Sequence, residues 1–267
     1  MDLESEYNNR AKVPNHPDII AGWARTSANL RTTHPHAELD LSYGPTPRQV
    51  LDIFWPDDRR DGPITLFIHG GYWQAMDKSY FSFLAAGVLP QGVAMAILSY
   101  DLCPNVTLAT LTGQVRAAAA FLYRRHNRRM LATGHSAGGH LTAMLMATDW
   151  PARGLPPDLI GAGLTLSGVF DLLPLVSTTI NAGLHLDPAT AHALSPLNLP
   201  SPALPLLAVV GGNEGIEYTS QSRQMAEAWA GTWQALPGHD HFTIVADLAN
   251  PETALARQAA AMAKAVT

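Results

Sequence analysis

Gly134-His135-Ser136-Ala137-Gly138-Gly139 is the stretch from which the rest of the chain can be read. It fits the pattern G-x-S-x-G. Before it, Arg129-Met130-Leu131-Ala132-Thr133 is short and apolar enough for a buried strand. After it, residues 140–147 (HLTAMLMA) are rich in helix formers. A glycine-flanked serine between a strand and a helix has the context of a nucleophile elbow. The turn is sharp there, and Gly134 and Gly138 lack the Cβ atoms that would collide in it. The Ser136 hydroxyl is then lifted above the sheet edge, and the Ala137 N–H faces the place where an oxyanion forms. The bland alternative is a glycine-rich turn that happens to contain serine. Residues 69–73 and 237–242 weigh against it.

Outward from this turn the chain alternates. Residues 64–69 (ITLFIH), 93–100, 159–166 and 204–210 read as buried strands. Helices are predicted over 78–88, over a stretch with apolar positions Leu108, Leu111, Val115, Ala119 and Leu122, over 218–230, and near 251–265. Strands alternating with helices imply a mostly parallel sheet flanked by helices, which binds ligands beyond the carboxyl ends of its strands. Residues 37–43 and 49–55 alternate as strands do, with Gly44-Pro45-Thr46-Pro47 between them, and predict an opening antiparallel hairpin. A helix over 18–30 precedes it, with Ile19, Ile20, Trp23, Ser27 and Leu30 on one stripe. Residues 1–16 read as a polar arm. Residues 171–202, with five prolines, are too long for a bare loop. They predict a small cap of short helices within a single domain of residues 1–267.

Composition narrows the class. The 267 residues are 47% apolar and only 15% charged, enough to bury a sizeable core. Seventeen basic against 22 acidic side chains give a net charge of −5, which offers no attraction for nucleic acid or an anionic membrane. Arg124, Arg125, Arg128 and Arg129 form a basic cluster at an expected helix end, where the dipole favours cations. Cys103 is the single cysteine, so no disulfide forms within the chain. The polar, acidic start and the lack of a long apolar run make a cytoplasmic, non-membrane protein the expectation.

Three further stretches converge on the edge marked by Ser136. His69-Gly70-Gly71-Tyr72-Trp73 follows a strand, as does the H-G-G loop that lends N–H groups to an oxyanion hole. Gly71 and Tyr72 are the expected donors, joined by Ala137. Tyr72 and Trp73 read equally as substrate contacts or as packing, and His69 is read as a brace for the loop. In Pro237-Gly238-His239-Asp240-His241-Phe242, His241 is the expected base, because the apolar run 242–245 anchors it; His239 faces solvent or lines the entrance. The acid belongs after the strand ending at Val210. Glu214 is the expected residue, with Glu217, Asp171 and Asp240 as alternatives. His34, His36, His135 and His140 match no zinc spacing, and no glycine fingerprint of a dinucleotide site is present, so neither metal nor cofactor is expected.

With these stretches in hand, the chain resembles the kynurenine formamidase (arylformamidase) family of α/β-hydrolases. The resemblance rests on His69-Gly70-Gly71-Tyr72-Trp73, Tyr100-Asp101-Leu102-Cys103-Pro104, Gly134–Gly139, Ser167-Gly168-Val169-Phe170-Asp171-Leu172, Leu194-Ser195-Pro196, Gln221-Ser222 and His239-Asp240-His241-Phe242. Tyr7-Asn8-Asn9-Arg10 also looks like the family's N-terminal segment, so nearly the whole chain is covered. The resemblance implies a metal-free serine hydrolase that removes formate from N-formylkynurenine, or a relative acting on aryl amides or esters. It supports Ser136 as nucleophile and His241 as base, and puts the acid at Glu214, where family members commonly carry Asp. It also makes a homodimer plausible. A carboxylesterase with the same residues is the alternative function. A hydrolase-fold binding protein without catalysis is a remote one, which an intact Ser136, His241 and acid argue against.

Overall fold

The computed structural model describes residues 2–267. Short helices α1 (Leu3–Tyr7) and α2 (Asn9–Lys12) form the arm, and α3 (His16–Thr33) follows. Strands β1 (Ala37–Ser42) and β2 (Val50–Phe54) make the antiparallel hairpin. The alternating part contains β3 (Ile64–Ile68), α4 (Ala85–Val88), β4 (Ala94–Leu98), α5 (Leu108–His126), β5 (Met130–His135), α6 (Ala137–Met146) and β6 (Ile160–Leu166). Then come α7 (Asn181–Leu184), α8 (Pro188–Ala193), β7 (Leu206–Gly211), α9 (Ile216–Ala228), β8 (Thr232–Leu236), α10 (Ile244–Ala249) and α11 (Ala254–Ala265).

All eight strands form one sheet in the order β1-β2-β4-β3-β5-β6-β7-β8. Only the β1–β2 and β2–β4 pairs are antiparallel. This is the α/β-hydrolase arrangement. Because side chains alternate across a strand, each central strand feeds two cores. Ala94, Ala96 and Leu98 of β4 pack on one face with residues of α5, α6 and α9, while Met95 and Ile97 pack on the other with α3, α4, α10 and α11. Burial on both faces explains why these strands read as continuous apolar runs.

The structure departs from the sequence reading in two places. Residues 78–88 do not form one helix. They break into 3₁₀ turns at Lys78–Tyr80 and Ser82–Leu84 before the short α4. Lys78 is drawn inward to Asp40 and Asp52, and Phe81, Phe83, Leu84 and Val88 are all buried, so packing demands outweigh helix propensity. The second departure is two elements for which no expectation was formed. β8 is a half-exposed edge strand with weak alternation, and α10 is only six residues long. Over residues 171–202 the structure has 3₁₀ turns at Leu173–Ser177 and Pro196–Asn198 around α7 and α8.

Candidate active site

The turn at Ser136 follows from steric exclusion. Ser136 has φ 56° and ψ −119°, a conformation that costs about 1–3 kcal/mol and persists only where its surroundings impose it. They do so through Gly138, where a Cβ would lie 1.9 Å from the Ile68 carbonyl oxygen. Only glycine lets α6 begin that close to β3. The Ser136 N–H donates to the Leu166 carbonyl at 2.8 Å, tying the turn to β6.

His241 reaches Ser136 from the loop between β8 and α10. Its Nε2 is 3.0 Å from Ser136 Oγ, and its Nδ1 is 2.7 Å from Glu214 Oε2. The other Glu214 oxygen accepts from the Gly211 N–H at 2.7 Å and the Ser167 hydroxyl at 2.5 Å. The carboxylate side chain is 1% exposed, so both oxygens are satisfied in a dry setting, where such charge-assisted bonds are strong. This is the geometry in which a hydroxyl proton passes to an imidazole as the oxygen attacks a carbonyl. Ser167 was missed as a participant; its signal was its place, directly after β6 in the Ser167–Leu172 motif.

The alternative carboxylates are engaged elsewhere. Asp240 Oδ1 accepts from the Phe242 and Thr243 N–H groups in the turn before α10. Glu217 accepts from the Tyr7 hydroxyl, and Asp171 accepts from the Leu173 N–H. Among the described residues, none of the three carboxylates hydrogen-bonds to the His241 ring.

Gly71, Tyr72 and Ala137 lie at the ends of β3 and β5, and among the described residues their N–H groups have no acceptor within the protein. Gly71 has φ +111°, which favours glycine, and its carbonyl accepts from Gln74 and Ala75 to close the turn. Gly71 and Tyr72 line the space beside Ser136 together with Arg10, Trp23, Met76, His135, His241 and Phe242. That space is narrow and walled almost entirely by apolar atoms.

Two expected contacts fall elsewhere. Trp73 is 1% exposed and stacks edge-on against His140 in the core, so it has no surface with which to meet substrate. His239 faces Asp247 at 3.5 Å and does not line the space at Ser136. The Tyr72 ring does border that space, but its hydroxyl is used by the arm, donating to the Tyr7 carbonyl and accepting from the Asn9 N–H. His69 braces its loop as expected: it stacks on Tyr100 with centroids 4.2 Å apart and lies 2.7 Å from the Gly70 carbonyl. Burial pushes its pKa down to about 4, so it is neutral near pH 7.

A second layer holds His241. His135 Nε2 donates to the His241 carbonyl at 2.8 Å, and burial holds its pKa well below the usual histidine value, keeping it uncharged. The Tyr218 ring sits 4.7 Å from that of His241, and its hydroxyl accepts from Asn9 Nδ2 at 2.8 Å. Through Asn9 and Tyr7, the arm thus packs on the wall of the site. No helix among the described residues is long and apolar enough to cross a membrane.

Comparison with known proteins finds relatives over most of the chain. A family profile described as BD-FAE matches residues 51–153. Kynurenine formamidase of Salmo salar is 32% identical over 225 residues, 79% of this chain and 76% of that protein. Kynurenine formamidase of Danio rerio is 30% identical over 224 residues, with the same coverage. A crystal structure from Silicibacter sp. TM1040, provisionally described as a thioesterase, superposes with a TM-score of 0.89 at 33% identity, covering 96% of this chain and 98% of that one. With that identity over most of its length, the chain belongs to the kynurenine formamidase family of α/β-hydrolases.

Proposed function

We propose that the protein hydrolyses aryl formamides through an acyl-enzyme, converting N-formylkynurenine to kynurenine and formate. Ser136 is the nucleophile, His241 the general base, and Glu214 the acid that orients the imidazole and stabilises its cation. His241 takes the Ser136 proton as Oγ attacks the formyl carbon. The N–H groups of Gly71, Tyr72 and Ala137 receive the negative oxygen. His241 then protonates the departing arylamine. Water, deprotonated by the same ring, attacks the formyl ester and releases formate and free Ser136. No step needs a metal or cofactor.

The observation that carries this reading is the hydrogen-bonded line from Ser136 Oγ through His241 to Glu214, which opens on a narrow space walled by Trp23, Met76 and Phe242. Such a space suits a small acyl group. The same space favours a second reading, a carboxylesterase for the smallest acyl esters. Residues 171–202 serve in this reading as a cap, contributing Thr179 and Ile180 to the wall of a neighbouring cavity. The setting that goes with it is a single catalytic domain, acting in the cytoplasm as a homodimer on a small-molecule substrate.

Steady-state kinetics test the assignment with N-formyl-L-kynurenine, p-nitrophenyl acetate and p-nitrophenyl butyrate, and with Ser136→Ala as control. Deformylation with kcat/KM of about 10⁴ M⁻¹s⁻¹ or more is expected, with acetate preferred over butyrate and all activity lost in the variant. Ester turnover without deformylation would leave the esterase reading in place and remove the formamidase.

A further inference from the structure

A second cavity, of about 520 Å³, opens beside the space at Ser136 and shares Arg10, Gly71 and Tyr72 with it. The remaining wall comes from the arm and from residues 171–202, through Glu4, Asn8 and Thr179 among others. Two opposite charges border this cavity. Arg10 is exposed, lies over the Tyr72 ring at 5.8 Å, and among the described residues makes no ion pair or hydrogen bond through its guanidinium. It is also the single Lys or Arg side chain lining the Ser136 space. Glu4 is held in place by Thr179, which donates from its N–H at 2.7 Å and its hydroxyl at 2.6 Å. Those bonds hold the Glu4 carboxyl below the usual range, so it is anionic near pH 7. Arg10 and Glu4 border one cavity without pairing with each other.

We infer that this cavity is the subsite for the α-amino-acid end of the substrate, with Arg10 receiving its carboxylate and Glu4 its ammonium. The inference rests on the formamidase reading, and it adds which residues separate an amino-acid substrate from a plain aryl formamide. A guanidinium grips a carboxylate through two parallel N–H bonds, and Arg10 has its donors free. Glu4 has one lone pair on each oxygen occupied by Thr179, and others remain for an ammonium. The arm is fixed to the reacting end of the site: Tyr72, an expected oxyanion donor, bonds both the Tyr7 carbonyl and the Asn9 N–H, on either side of Asn8. Binding the amino-acid end at Arg10 therefore sets the distance of the formyl group from Ser136. Remote binding of this kind raises the rate of reaction of a correctly shaped substrate.

The test compares N-formyl-L-kynurenine with 2′-formamidoacetophenone, the same aryl formamide without the amino acid. The ratio of their kcat/KM values is measured for the native protein, Arg10→Met, Arg10→Lys and Glu4→Gln. A charge-assisted hydrogen-bond pair lost from Arg10 lowers the ratio about 10- to 100-fold. Arg10→Lys restores only part of it, because an ammonium lacks the planar fork, and Glu4→Gln produces a smaller fall. A ratio within twofold of native in Arg10→Met overturns the subsite while leaving the formamidase reading intact. If the native protein cleaves neither formamide, that reading fails, and the subsite is decided by calorimetry with L-kynurenine on Ser136→Ala. Tenfold or greater weakening on adding Arg10→Met sustains it; equal affinity overturns it.

Discussion

Replacing Glu214 by Gln changes one oxygen into an NH₂ group and little else in shape, so it isolates the charge and the direction of one hydrogen bond. The structure decides how the new amide must lie. One Glu214 oxygen accepts from the Gly211 N–H, which can only donate, and from the Ser167 hydroxyl. The amide oxygen of Gln must take that place, since an NH₂ there would face a second donor. The NH₂ is then turned toward His241 Nδ1, where the carboxylate stood at 2.7 Å. Nδ1 becomes an acceptor, the ring proton moves to Nε2, and Nε2 can no longer receive the Ser136 proton. A wrong tautomer of this kind lowers kcat about 10⁴-fold in serine hydrolases. Glu214→Asp keeps the charge but withdraws it by one methylene, about 1.5 Å, and is expected to lose roughly 10²-fold. The assay is kcat for N-formyl-L-kynurenine and p-nitrophenyl acetate, with thermal unfolding run beside it to confirm folding. A folded Glu214→Gln protein within tenfold of native kcat would refute the assignment and return the role to another carboxylate.

Other consequences concern stability. Gly138→Ala sets a methyl 1.9 Å from the Ile68 carbonyl oxygen, and a loss of about 3 kcal/mol or more is expected in urea titrations; a smaller loss would mean the elbow can open at little cost. Asp52 is fully buried between Lys78 and Arg31, so Asp52→Ala leaves both cations to share Asp40 alone and is expected to cost about 3 kcal/mol. An unchanged urea midpoint would show that the cluster contributes nothing. Burial lowers the pKa values of His69 and His140 from 6.5 to about 4. Between those values the unfolded chain binds protons that the folded one does not, so stability is full above pH 6.5 and falls as pH drops toward 4. At 1.36 kcal/mol per pH unit each histidine contributes a loss of roughly 3 kcal/mol across that window; urea midpoints equal at pH 7 and pH 4.5 would contradict it.

The site was legible wherever its geometry follows from local sequence. Ser136 sits in a turn that needs its glycines, and His241 precedes an apolar run, so both positions could be named from the chain. Asp240 was a weaker candidate than it looks from adjacency to His241: its carboxylate is consumed by the Phe242 and Thr243 N–H groups of the turn before α10, as short acidic side chains in turns commonly are. Trp73 is different: an aromatic beside a glycine loop reads equally as packing or as a substrate contact, and the turn at Gly71–Ala75 sends its indole into the core against His140. The helix expected over 78–88 failed for a related reason, since local propensity carries no information about the ionic cluster that draws Lys78 inward.

From the residues alone follow the alternating fold, the opening hairpin and the elbow. Each depends on interactions between near neighbours: apolar periodicity, the absence of Cβ atoms at a sharp turn, and short connections. The chain cannot say which carboxylate meets His241, because Glu214, Glu217, Asp171 and Asp240 are all near enough in principle. That choice is made by β7 lying beside β6, which brings the Gly211 N–H and the Ser167 hydroxyl to the same carboxylate oxygen. Nor can it say that residues 4–10 reach the mouth of the site. Contacts between residues more than 60 and up to 214 positions apart, Asn9 to Tyr72 and Tyr7 to Gln221, hold the arm there, and they exist only once the sheet has assembled. Loop-end chemistry of this kind is set by which strands become neighbours, and that is a property of the packed whole.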